Sequence, residues 1–139
     1  MGTYQRSRTS SASPDRVWSI WSDVSTWPDW NPDVREISLT GPFLTGTTGS
    51  MTTGAGTHTI RLDNVDPGRG FDFVTTPIPA TTFRFHCDVS PDGTGSTIRQ
   101  GVMMSGLLAP VIGPLMGNRI AASFDPILEG LAREAERER

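Results

Sequence analysis

The sequence predicts an α+β fold in which a curved run of antiparallel strands holds one long C-terminal helix. Three observations carry this. All four tryptophans of the 139 residues fall between Trp18 and Trp30, in a short helical segment near the N-terminus. From Val34 to Met104, apolar residues recur at alternate positions in short runs divided by turn residues, the pattern of half-buried strands. From about Pro110 to Arg137 the spacing becomes that of an amphipathic helix.

The elements follow in order. Thr3 to Ser11 is a polar run that a strand tolerates. Ser13 is placed to cap a helix and Pro14 stands at its first turn, where a missing N–H costs nothing. Val17, Ile20, Trp21 and Val24 keep helical spacing, so a helix is expected over 14–22. Asp23 can cap a second helical turn through Trp27, which Pro32 ends. Ile37 and Leu39 then alternate with polar neighbours before Gly41-Pro42. Gly49, Met51 and Thr53 share a face of the next strand, and His58, Ile60 and Leu62 a face of the one after. Asp66-Pro67-Gly68-Arg69-Gly70 is a hairpin turn, followed by Phe71, Phe73 and Thr75 in alternation. Pro77 and Pro79 mark a further reversal. Phe83, Phe85, Cys87 and Val89 alternate with Arg84, His86 and Asp88. Pro91-Asp92-Gly93-Thr94-Gly95 turns the chain into a last strand carrying Ile98, Gln100, Val102 and Met104.

The final helix is expected to bury Ile112, Leu115, Met116, Ile120, Phe124, Ile127, Leu128 and Leu131. Arg133 to Arg139 read as its solvated end. Pro114 and Pro126 lie inside the pattern, and each should kink or restart the helix because it removes an amide and crowds the preceding turn. One helix cannot fill the concave side of a long meander. The space left over is a cavity.

Composition bounds the function. With 35% hydrophobic and 19% charged residues, the chain is not expected to be disordered. A net charge of −3 with no lysine argues against nucleic acid as a partner, because such partners demand a basic patch. Cys87 is the only cysteine, which excludes a disulfide framework and a thiolate metal cluster within the chain. The opening Met-Gly-Thr-Tyr-Gln-Arg lacks the pattern of a signal peptide. The longest apolar stretch, Gly106 to Gly117, is interrupted by Pro110 and Pro114 and is too short to span a bilayer. A single cytoplasmic domain over 1–139 is expected, monomeric or homodimeric, without stable membrane insertion.

Several runs carry a family likeness. Ala12-Ser13-Pro14-Asp15-Arg16-Val17-Trp18, then Asp23, then Trp27-Pro28-Asp29-Trp30-Asn31-Pro32, resemble the polyketide cyclase/dehydrase and lipid-transport group of the START/Bet v 1-like (SRPBCC) superfamily. The turn Pro91 to Thr97 and the run Gly106-Leu107-Leu108-Ala109-Pro110 leading into a long helix are similar too, so the likeness spans the chain. It implies a helix-grip fold: a seven-stranded antiparallel sheet wrapped around the C-terminal helix, two short helices after the first strand, and a hydrophobic tunnel between. Members bind lipids, polyketides, hormones or aromatic compounds, and some catalyse cyclisation or dehydration. The aromatase/cyclase members use a cavity tyrosine just after the Trp-Pro element, together with an arginine. Here that stretch carries Val34, and the sole tyrosine is Tyr4.

Strand parity nominates the cavity residues. Met51, His58, Ile60, Phe73, Phe83, Phe85, Gln100 and Met104 should point inward from the sheet. Met116, Ile120 and Phe124 should face them from the helix, with Trp21, Trp27 and Trp30 closing one end. His58 is the candidate acid/base, since it shares a face with Ile60 and Leu62; the alternative is a structural rim histidine. Gln100 could donate to a ligand carbonyl. Cys87 reads as a small buried hydrophobe, because nothing basic adjoins it to favour a thiolate. His86 and Arg99 should face solvent, and a metal shared by His58 and His86 is therefore not expected. Neither a metal nor a cofactor is expected. Arg6, Arg8 and Arg119 remain open between cavity and surface.

Three functions are compatible with these residues. The first is binding of a hydrophobic or aromatic small molecule, with His58 and Gln100 orienting it. The second is a cyclase or dehydratase using His58. The third is a chaperone-like or assembly partner docking through an apolar groove. The Gly106–Gly117 segment could serve that docking, or act as a gate over the cavity mouth.

Overall fold

The computed structural model describes residues 3–137. Of the expected solvated tail, Glu138 and Arg139 lie outside the described residues. Strand β1 (Thr3–Ser10) leads into α1 (Pro14–Trp21), a single 3-10 turn (Val24–Thr26) and α2 (Trp27–Trp30). Six strands follow: β2 (Glu36–Leu39), β3 (Thr48–Thr53), β4 (Gly56–Asp66), β5 (Gly70–Ile78), β6 (Thr81–Asp92) and β7 (Gly95–Ser105). Helix α3 (Ala109–Arg137) closes the chain.

The caps act as their chemistry dictates. Ser13 Oγ accepts the Arg16 amide at the start of α1, behind Pro14. Asp23 accepts from the Ser25 amide and hydroxyl, but the turn it opens is the separate 3-10 element rather than one helix running on through Trp27. Trp27 and Trp30 belong to the next turn, α2.

All seven strands pair antiparallel in the order β1-β7-β6-β5-β4-β3-β2. The first strand crosses over to pair with the last, which leaves β1 and β2 as the two edges. The reversal at Pro79-Ala80 places Ala80 at φ 59°, and the bulge on β4 places Asn64 at φ 48°. Both are left-handed positions that a non-glycine residue enters only when its surroundings demand it.

Pro114 and Pro126 do not restart the helix: α3 runs unbroken over 29 residues. Each proline forfeits one backbone hydrogen bond. Packing of the buried face, including Gly113, Gly117, Ala121, Phe124, Leu128 and Leu131, offsets that loss. Both prolines sit on the exposed side of the helix.

The placement of α3 fixes where the empty space lies. The helix packs on β1 and β7 and touches α1 and α2. It therefore covers one flank of the concave sheet and leaves the other, built from β3 to β6, uncovered. At its far end α3 approaches α2 so closely that a Cβ on Gly130 would stand 2.0 Å from the Trp30 carbonyl oxygen.

Candidate functional site

The uncovered flank encloses a cavity of about 520 Å³, within the range of small-molecule sites. The sheet supplies Met51, Ile60, Phe71, Phe73, Phe83, Phe85 and Cys87, and α3 supplies Met116, Ile120, Phe124 and Ile127. Trp21, Trp27, Trp30 and Val34 close one end. At the other end the rim is made by Thr53, Gly54 and Ala55 of the β3–β4 turn and by Pro77 and Ile78 before the β5–β6 turn.

The aromatic wall is built rung by rung. Phe73 and Phe85 are direct partners across β5 and β6, and their rings stack with centroids 4.8 Å apart. Phe124 meets Phe85 edge-on at 6.2 Å from the helix side. The Trp27 indole N–H donates to the Trp21 carbonyl, and that of Trp30 to the Thr26 hydroxyl, so neither ring leaves a polar atom unpaired. Trp18 takes a different place: it packs edge-on against Phe43 and Phe71, outside the cavity wall.

Polar groups on the lining are few. His58 lies on β4 opposite Met51, and its Nε2 is buried without a hydrogen-bond partner. An unpaired ring nitrogen against an apolar wall costs free energy that a bound hydrogen-bonding group would recover. Gln100 is buried on the wall as the one contribution of β7. Asn31 and Asp33 stand beside α2, where the Asn31 Oδ1 accepts the Asp33 amide. Burial raises the Asp33 carboxyl above its ordinary value. The Thr75 and Ser123 hydroxyls are already committed to the carbonyls of Thr59 and Ile120. Among the described residues no arginine is on the lining, so they offer no fixed cation for a carboxylate ligand.

Most of the nominated residues come together on this wall: Trp21, Trp27, Trp30, Met51, His58, Ile60, Phe73, Phe83, Phe85, Gln100, Met116, Ile120 and Phe124. Met104 does not. It is buried next to Phe83 in the ladder but off the wall, because β7 lies largely beneath α3. Leu115, expected on the buried face of the helix, is exposed. Cys87 is buried as expected yet also lines the cavity, and desolvation pushes its thiol far above the ordinary range. Arg6 pairs with Asp125 of α3 at 3.6 Å, while Arg8 and Arg119 are exposed; none of the three is on the wall. Sequence reasoning passed over Asn31, Asp33, Gly54 and Ala55, because loop residues carry no parity signal; Thr53 shared the Met51 face by parity but was not nominated.

On the outer face of the same strands a charged lattice runs from β4 to β7. Arg84 bonds to Asp63 at 2.9 Å and to Asp72 at 3.0 Å, and Arg99 to Asp88 at 2.9 Å. His86 Nδ1 meets Asp72 and its Nε2 meets Asp88 at 2.9 Å. A carboxylate oxygen on each ring nitrogen is the geometry of an imidazolium, since neutral imidazole has only one N–H to donate. The Asp72 hydrogen bond accordingly raises the His86 pKa, against burial. Among the described residues no three histidine, cysteine, aspartate or glutamate side chains are grouped to hold a metal ion.

A family model described as polyketide cyclase / dehydrase and lipid transport matches residues 1–136. The chain belongs to this family. Solved structures agree with the helix-grip architecture of the family. A protein from Thermobifida fusca shares 26% identity at a TM-score of 0.74, covering 99% of this chain and 95% of that one. The protein XoxI from Bacillus cereus shares 19% at 0.79, covering 99% and 97%. A truncated norcoclaurine synthase from Thalictrum flavum shares 15% at 0.75, covering 99% and 95%. No curated protein sequence matches the chain. No helix among the described residues is long and apolar enough to cross a membrane.

Proposed function

We propose that this family member binds a neutral, hydrophobic or aromatic small molecule in the cavity between sheet and α3. The observation that carries the reading is a cavity of about 520 Å³ walled by phenylalanine, tryptophan and methionine, with His58, whose Nε2 is buried and unpaired, among its lining residues. Apolar contact supplies the affinity, and His58 and Gln100 orient the ligand by hydrogen bonds. With Asp33 at the cavity edge and no arginine among the described lining residues, a carboxylate ligand would be desolvated without a countercharge, which favours neutral molecules. The function needs neither metal nor cofactor.

Titration with 1-aminoanthracene, a neutral dye that brightens in apolar surroundings, tests this. Saturable binding at one site per chain is expected, competed by other neutral aromatics and weakened in His58→Leu. Emission that rises without saturation would sink the reading.

A second reading is a cyclase or dehydratase in which positioning plus acid/base transfer drives the reaction. It is favoured by two titratable groups at the cavity: His58 on the wall, and the solvent-exposed Asp33 at its edge, whose carboxyl pKa is raised by partial burial. A synthase among the structural neighbours is compatible with it but, at 15% identity, speaks only to the fold. His58→Ala should then abolish turnover while leaving ligand affinity nearly intact. Turnover that survives the substitution removes His58 from the mechanism.

A further inference from the structure

The first two turns of α3 are apolar all round, yet only one side is covered. Ala109, Ile112, Gly113, Met116 and Gly117 face the protein. On the other side Leu107 is 87% exposed, Val111 64% and Leu115 74%, spaced four residues apart from the turn before α3 into the helix, with Leu108, Pro110 and Pro114 beside them. From Ser105 to Asn118 there is no charged residue. A helix apolar on every side belongs in a core, and a contiguous exposed apolar stripe marks an interaction surface.

We infer that this stripe docks the protein on the surface of a neutral phospholipid bilayer, with the cavity rim turned toward the lipid. Three features select that occupant. The stripe stands on a helix start and the turn before it, where a deformable surface can follow it without a matching groove. Its four main side chains offer on the order of 450 Å² of surface, about half of what one side of a standard protein interface buries. It also adjoins the cavity rim. The Leu108 amide donates to the Ala80 carbonyl, and Gly106 abuts Ala80 and Thr81, which places the stripe beside the Pro77–Ile78 rim. Met116, next to Leu115, and Ile120, one turn further along α3, line the cavity itself. The absence of charge points to shallow insertion rather than attraction to anionic headgroups. Docking does not depend on what the cavity holds.

The test is sedimentation of the full chain with phosphatidylcholine vesicles, at low and high salt, beside Leu107→Glu/Leu115→Glu. Both positions are solvent-exposed, so the variant should keep the wild-type melting temperature. The expected result is partition of the wild type into the pellet to the same extent at both salt concentrations, and at least a tenfold weaker partition of the variant. A wild type that stays in the supernatant overturns the inference, as does a variant that sediments equally well. Binding only to anionic vesicles, lost at high salt, overturns it too. So does a wild-type dimer that the variant dissociates while neither binds vesicles.

Discussion

The ring of Tyr4 lies in the notch that Gly117 leaves in α3: a Cβ on Gly117 would stand 2.3 Å from two of its ring atoms. Gly113, one turn earlier, faces the Tyr4 hydroxyl, 3.9 Å from where a Cβ would stand. The two glycines let the edge strand β1 hold the helix with an aromatic side chain, and so keep α3 on the β1–β7 flank.

Gly117→Ala is therefore expected to destabilise the protein. Overpacking of this kind costs about 1–3 kcal/mol, against a gain of about 1 kcal/mol from better helix propensity. In a Tyr4→Ala background the clash disappears and only the propensity gain remains. Urea denaturation of the four proteins in the cycle measures the coupling. Additive effects would show that Tyr4 and Gly117 do not meet.

Gly130→Ala is the harsher change, because its new methyl would strike the Trp30 backbone carbonyl rather than a movable side chain. A loss of about 3 kcal/mol or more is expected, at the upper end of overpacking. Trp30 closes one end of the cavity, so dye affinity should fall as well. Thermal melts and dye titration together check this; a variant as stable as wild type contradicts the close approach of α2 and α3.

The outer lattice predicts a pH profile. His86 has a raised pKa, chiefly through its hydrogen bond to Asp72. Its stabilising share is complete below the ordinary histidine value of 6.5 and is lost as pH rises through the raised one. Asp72 is pushed up by burial, but hydrogen bonds from His86, Asn64 and Arg84 together hold it below the ordinary 3.8. Its share is complete above 3.8 and is lost as pH falls through the lowered value. The lattice thus contributes most between about pH 4 and 6.5. The melting-temperature gap between wild type and His86→Gln should be widest there and close on the alkaline side. An equal gap at pH 5.5 and pH 9 would show that His86 is not bound as a cation.

Alternation made much of the wall legible. The two-residue period put His58 with Ile60, Gln100 with Ile98 and Phe73 with Phe71, and the structure keeps those faces. Parity says which side a residue takes but not what covers it. Met104 has the right parity and is hidden by the helix, while Cys87 has the same parity and reaches the cavity. Asn31, Asp33 and the β3–β4 turn have no period to read. Tyr4 was conspicuous as the only tyrosine, but its partners Gly113 and Gly117 lie more than a hundred residues away, and small residues on a helix do not announce what fills the notch. The prolines of α3 misled for a related reason. Local chemistry allowed a kink or a restart, and burial of one long face against the sheet kept the helix from restarting.

Methionine provides the most direct test of the proposed ligand site. Met51 and Met116 line the cavity from opposite sides, while Met103 is on the outer face of β7 and 46% exposed. With ¹³C-labelled methionine methyls, addition of 1-aminoanthracene should shift the Met51 and Met116 signals and leave Met103 in place. A shift of Met103 with Met51 and Met116 unmoved would contradict the account, placing the dye on the outside of the sheet.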